Sequence, residues 1–251
     1  MPDASKGSGS LVGGAIYDER YLAFVDVLGF SSLVASSASE PTMVEQIYGA
    51  LSDISTRTKA SRSDEMQMEA TSFSDTVIIS TPVGDAELLH LLEVINEFSF
   101  GLLSRNMLFR GALVQGRVLH RPDLIFGPAL IAGYRLESER SFHPRIMLDS
   151  KVFGAVQHAA DPFRSQIGRQ VIVDNYDVPY LDPFARWNLD DTLALDRLAE
   201  LIQLQEIVAA GLIAGSDNPS VGEKYRWLGR KLNRFLLQRN LTDKIQLLDF
   251  D

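Results

Sequence analysis

The sequence contains no cysteine. Disulfides and thiolate metal sites are therefore excluded, and the composition fits a reducing, cytoplasmic setting. There is no run of about 18 consecutive apolar residues, so no membrane-spanning helix is expected. The opening MPDASKGSGSLVGG lacks the charged-then-apolar layout of a signal peptide and reads as the start of a flexible lead-in over 1–19. Basic residues are in deficit: 24 Lys and Arg stand against 33 Asp and Glu, a formal net charge of −9. A broad grip on nucleic acid relies on phosphate neutralisation by Lys and Arg, so no nucleic-acid partner is expected. Histidine is scarce, and His90, His120, His143 and His158 show no i, i+4 spacing that would suit zinc. GSGSLVGG is not followed by Gly-Lys-Ser/Thr and is no P-loop. Ser31 and Ser32 have no nucleophile-elbow context.

What remains is ordinary globular material, 45% hydrophobic and 23% charged over 251 residues, enough to bury a substantial core without staples. Residues 21–27 read as a buried strand. Apolar residues at Met43, Val44, Ile47, Leu51 and Ile54 give 41–60 a helical period. Residues 66–73 and 75–81 read as a hairpin turning near Ser74 and Asp75. The spacing predicts a long amphipathic helix over 85–106, opened by acids as the helix dipole favours. A strand follows over 107–121, then a Gly-Pro-opened helix over 127–140, a strand over 144–149 and a short helix after it. Residues 159–190 are irregular, with short strands at 170–173 and 178–181. From 190 the character changes to two amphipathic helices joined by GSDNPS. In the second, Tyr225, Trp227, Leu228 and Leu232 face a core while Arg and Lys are solvated. The order predicts an α+β fold: one mostly antiparallel sheet with helices packed on it, and a C-terminal helical segment.

Two acids break this pattern. Asp26 ends the apolar strand in YLAFVDVLGFSSL, and Asp75 precedes another in SFSDTVII. A buried carboxylate is costly without a partner. Two facing carboxylates would repel unless a divalent cation lay between them, and Mg²⁺ or Mn²⁺ takes one or two carboxylates plus substrate phosphates. Gly29 would let backbone N–H groups approach a phosphate. Read alone, Asp26 is a strand-end acid, Asp75 a turn residue and Arg135 a helix-surface cation opposite Glu139 at i, i+4.

AFVDVLGFS resembles the first signature of class III nucleotidyl cyclases, and SFSDTVII the second, an Asp in a hairpin. RGALVQGRV, FGPALIAGYRLES (with Gly127 and Arg135 in register) and PRIMLDSKVFGAV resemble the elements that follow in that family. The resemblance covers residues 20–158 and implies a ferredoxin-like core sheet within a catalytic domain over 20–188, with 189–251 as a helical extension. It implies that Asp26, Asp75 and the Val27 carbonyl bind two divalent ions, Mn²⁺ or Mg²⁺, for an in-line displacement on a nucleoside triphosphate. Backbone N–H groups of Leu28, Gly29, Phe30, Ser31 and Ser32 would contact the phosphates. Arg135 would neutralise the transition state from the partner protomer of a homodimer with shared sites.

The departures concern the base. Purine cyclases carry Lys or Glu where Thr71 stands, Asp, Thr or Cys where Leu124 stands, and Asn where Ile131 stands. A smaller, uncharged pocket of Thr71, Tyr48 and Phe30, with Tyr48 on the buried face of the 41–60 helix, suits a pyrimidine. This combination resembles the bacterial Pycsar pyrimidine cyclases of antiphage defence, whose cyclic nucleotide activates a separate effector protein. The expected reaction is UTP to 3′,5′-cyclic UMP and pyrophosphate. A cytidylate cyclase, a purine cyclase with an unusual pocket and a catalytically silent nucleotide-binding or dimerising module stay open.

Overall fold

The computed structural model describes residues 17–37, 67–188 and 195–250, with 42, 44, 45, 48, 49 and 52 between them. Most of the lead-in and most of the 41–60 helix lie outside the described residues, although those six positions are helical.

The elements, in chain order, begin with β1 (Asp18–Val27), α1 (Phe30–Ser37), β2 (Glu69–Phe73), β3 (Thr76–Pro82), α2 (Asp85–Leu103) and β4 (Phe109–Arg121). Neighbours run β2-β3-β1-β4, and every pair is antiparallel. This is a ferredoxin-like βαββαβ sheet. After it come β5 (Leu124–Phe126), α3 (Pro128–Arg140), β6 (Ile146–Leu148) and α4 (Ser150–His158). β6 lies parallel to β4, and α3 is its crossover. The next elements are α5 (Phe163–Gly168), β7 (Val171–Val173), β8 (Pro179–Leu181) and α6 (Ala185–Asn188). β8 and β7 extend the sheet beyond β6, and β5 pairs with the far end of β4. Two long helices, α7 (Leu195–Ala214) and α8 (Pro219–Gln238), follow. The expected α+β architecture with C-terminal helices is therefore what the chain forms.

Strand alternation divides the core in two. Tyr21, Ala23, Val25 and Val27 of β1 face the larger cluster. α2 covers that face with Leu88, Leu91, Leu92 and Ile95, an i, i+3, i+4, i+7 stripe. Asp85 and Glu87 lie in its first turn, where the dipole favours negative charge. Leu22 and Phe24 face the smaller cluster, with Ile78, Ala112 and Val114. α3 lies on this second face. Gly133 brings it close: an added Cβ would sit 3.3 Å from Phe24 Cβ.

The irregular region 159–190 is more ordered than its sequence suggests. Its two expected strands form, and α5 and α6 form as well. α6 presents Trp187, which is 1% exposed. These helices are too short to show a period. α7 and α8 share the larger core through Leu201, Leu204, Val208, Leu228 and Leu232. The Tyr225 hydroxyl donates to Asn106 Oδ1 at 2.8 Å, tying α8 to the loop after α2.

Candidate metal and nucleotide site

β1 is apolar from Tyr21 to Val25 and then sets Asp26 between Thr76 of β3 and Arg110 of β4. Asp26 falls on the α3 face, in the row of Leu22 and Phe24. The next two residues fix the strand end. Val27 N–H donates to the Asp75 carbonyl at 2.9 Å, and Leu28 N–H to the Leu108 carbonyl at 2.8 Å. The hairpin turns through Ser74 at φ 55°, so Asp75 follows the turn directly beside the end of β1. Gly29 then takes φ 73°, a left-handed conformation that favours glycine, and α1 begins at Phe30. Asp26, Val27, Asp75 and the turn Leu28, Gly29, Phe30, Ser31 are thus gathered at one end of the sheet.

Asp26 is not alone with Asp75. Arg110 Nε lies 3.4 Å from Asp26 Oδ2 and 2.5 Å from Glu137 Oε1. Arg110 Nη1 also donates to the Ser141 carbonyl at 3.2 Å. The Glu137 side chain is 4% exposed and the Asp26 side chain 19%. Burial, then the charge of Asp75, raises the Asp26 carboxyl above the usual carboxylate range, against the pull of Arg110. Burial raises Glu137 too, with Arg110 opposing and Asp26 and Asp75 adding. Asp26 and Glu137 therefore share one guanidinium, and Asp75 adds a third negative charge to their field. The shortfall of positive charge lies on the Asp26–Asp75 side, since Arg110 is held more closely by Glu137.

Among the described residues no group of three or more His, Asp or Glu forms a ready-made metal cage. Two hard carboxylates at a strand end, beside the Gly29 turn, nevertheless fit Mg²⁺ or Mn²⁺, which completes its shell with water and phosphate oxygens. Arg110 and Glu137 were not singled out from the sequence. They sit in motif-matching segments, and only the β1–β4 register brings Arg110 against Asp26. Lys224 of α8 was also missed; burial, then Arg110, lowers its pKa, so the C-terminal helix carries a cation into the field of this cluster.

The other expected residues are dispersed. Arg135 is exposed on α3 and makes no ion pair with Glu139 or Asp26. Leu124 opens β5 at 52% exposed. Tyr48 is 73% exposed, so its expected place on a buried helix face is corrected. Thr71 is half-buried on β2 and ends a polar chain. Its Oγ1 is 3.0 Å from His120 Nε2, and His120 Nδ1 is 2.8 Å from Ser80 Oγ. Arg20 Nε donates to that same Oγ at 2.9 Å. His120 is pushed down to about 4, by burial first and Arg20 second.

No family model matches the chain, and no curated protein does. Among solved structures, a bacterial light-regulated adenylyl cyclase is similar at 15% identity and a TM-score of 0.40. That match covers 69% of this chain and 58% of the other. At that score the likeness adds nothing to what the chain's own topology shows. No described helix is long and apolar enough to cross a membrane.

Proposed function

We propose that the protein is a metal-dependent nucleotidyl cyclase that converts UTP to 3′,5′-cyclic UMP and pyrophosphate. The observation that carries this reading is the meeting of Asp26 and Asp75 at the end of β1, with too little positive charge around them. Asp26, Asp75 and the Val27 carbonyl would hold the divalent ions. Bound there, the ions would supply charge for the triphosphate and lower the pKa of the attacking 3′-hydroxyl. Arg110 can yield Asp26 to such an ion because Glu137 and Ser141 hold it already. Backbone N–H groups of Gly29, Phe30 and Ser31 would bind phosphate oxygens, whereas that of Leu28 is already given to the Leu108 carbonyl. Arg135 is exposed, and it would reach the α-phosphate of the partner protomer's site in a homodimer. Thr71 stands where the resemblance puts the base-reading side chain, with Tyr48 and Leu124 as further pocket residues. A cyclic pyrimidine product would then act on a separate effector protein, as in antiphage signalling.

The test is incubation with ATP, GTP, CTP or UTP and Mn²⁺, with products identified by mass spectrometry. Cyclic UMP is expected, and none from the Asp75→Ala chain. The Arg110–Asp26 contact favours a second reading, a silent nucleotide-binding module in which Arg110 takes the cation's place. No cyclic product from any nucleotide would favour it over the cyclase.

A further inference from the structure

The polar chain behind Thr71 has a direction, and the direction follows from counting hydrogens. Arg20 can only donate. Its Nε–H goes to Ser80 Oγ, and its Nη2 to the carbonyls of Gln67 at 2.6 Å and Ser80 at 3.1 Å. Ser80 is fully buried, and its hydroxyl has one hydrogen to place. Its other side-chain partner is His120 Nδ1. If that nitrogen carried a hydrogen, the Ser80 hydrogen would be buried without an acceptor, which structures avoid. Ser80 therefore donates and Nδ1 accepts. Burial keeps the ring neutral, so its hydrogen is on Nε2. Nε2–H then donates to Thr71 Oγ1.

Thr71 is the member of this chain nearest the surface; Arg20, Ser80 and His120 are 5%, 0% and 2% exposed. Its oxygen already accepts one hydrogen bond. Among the described residues none accepts its own hydrogen. We propose that the Arg20–Ser80–His120 relay fixes Thr71 as a hydrogen-bond donor to the base, selecting the C4 carbonyl of uracil over the C4 amine of cytosine. This rests on the cyclase reading above, which sets Thr71 against the base. A uracil O4 accepts the Thr71 hydrogen. A cytosine amine presents a second donor, and although the remaining lone pair of Oγ1 can accept from it, the Thr71 hydrogen is then left unpaired. A site built to pair a polar group discriminates strongly against a ligand that leaves it unpaired. His120 is in this scheme a positioning residue, and Thr71 the one that touches substrate.

Two measurements test it. The first is the tautomer of His120 by long-range ¹H–¹⁵N correlation NMR at pH 7. The expected result is a protonated Nε2; a protonated Nδ1 overturns the relay. The second is the affinity of UTP and CTP by calorimetry in Ca²⁺, which holds the phosphates without turnover. UTP is expected to bind about 10-fold more tightly than CTP, one hydrogen bond's difference. Thr71→Val should remove that ratio and Thr71→Ser restore it. His120→Phe should lower the ratio even where both affinities fall, a change that a purely structural role would not produce. Equal affinities in the wild-type protein, with cyclic product still formed, overturn this inference alone. Binding of neither nucleotide overturns the nucleotide site and the inference with it.

Discussion

Asp182 is 4% exposed and accepts two hydrogen bonds, from Phe184 N–H at 2.9 Å and Asn188 Nδ2 at 2.7 Å. Burial still dominates and raises its carboxyl to about 6. The folded state thus holds this proton more tightly than the unfolded chain does. Its contribution to stability is present at low pH and is lost as pH rises from about 4 to about 6, a cost of about 3 kcal/mol at neutral pH. His120 works in the opposite sense. Its folded value is lowered to about 4, so the unfolded chain binds the extra proton and stability is lost as pH falls below the ordinary histidine value. The two slopes oppose each other over the same window. Asp182→Asn should therefore raise the midpoint of thermal unfolding at pH 7.5, with the gain fading toward pH 4. It should also leave a stability that rises with pH across the window. Thermal unfolding at pH 4.5, 5.5, 6.5 and 7.5 measures this. A gain that is the same at every pH would show that Asp182 is ionised alike in both states.

At the scale of elements, α7 and α8 come together at two glycines, Gly215 just past the end of α7 and Gly222 in α8. A Cβ added to Gly215 would sit 2.7 Å from Gly222 Cα, and one added to Gly222 would sit 2.8 Å from the Gly215 carbonyl. One turn earlier, a Cβ on Gly211 would lie 2.2 Å from the Tyr225 ring. Gly211→Ala should therefore displace Tyr225 and its bond to Asn106. The expected loss is about 1–3 kcal/mol of overpacking, seen as a thermal midpoint lower by several degrees. A midpoint within a degree of wild type would show that the helices can slide apart freely. These glycines also mark where sequence reading stops. The strands and long helices were legible because apolar residues repeat with period 2 or 3.6, and the order of the βαββαβ core followed from them. Asp26 and Asp75 were legible because acids interrupt apolar strands. Arg110, Glu137 and His120 were not. Their meaning lies in register and in the folding of β4 and β5 over the sheet, contacts 27 to 84 residues apart that no local pattern records. The short helices α5 and α6 were missed for lack of a full period.

At the scale of the whole molecule, the apolar surface is uneven. Ile131 and Tyr134 of α3 are 54% and 57% exposed, and Leu124 and Phe126 of β5 are 52% and 38% exposed. Phe73, at the end of β2, is 81% exposed. Arg135 stands on the same helix as Ile131 and Tyr134, and the glutamate two residues on, Glu137, turns inward to Arg110. α3 thus contributes its inward side to the cluster around Asp26 and leaves Arg135 exposed on its outer side. A two-fold homodimer closing over this surface would bury the apolar residues and pair the Asp26 of each chain with the Arg135 of the other. Neither Asp26→Ala nor Arg135→Ala chains should then turn over UTP alone. Mixed and allowed to exchange subunits, they should recover activity, because every mixed dimer contains one site with both groups intact. With random pairing about half of the dimers are mixed and half of their sites are whole, so about one quarter of wild-type activity is expected. No recovery, with mixed dimers demonstrated by mass, would place Arg135 and the aspartates in the same protomer's site.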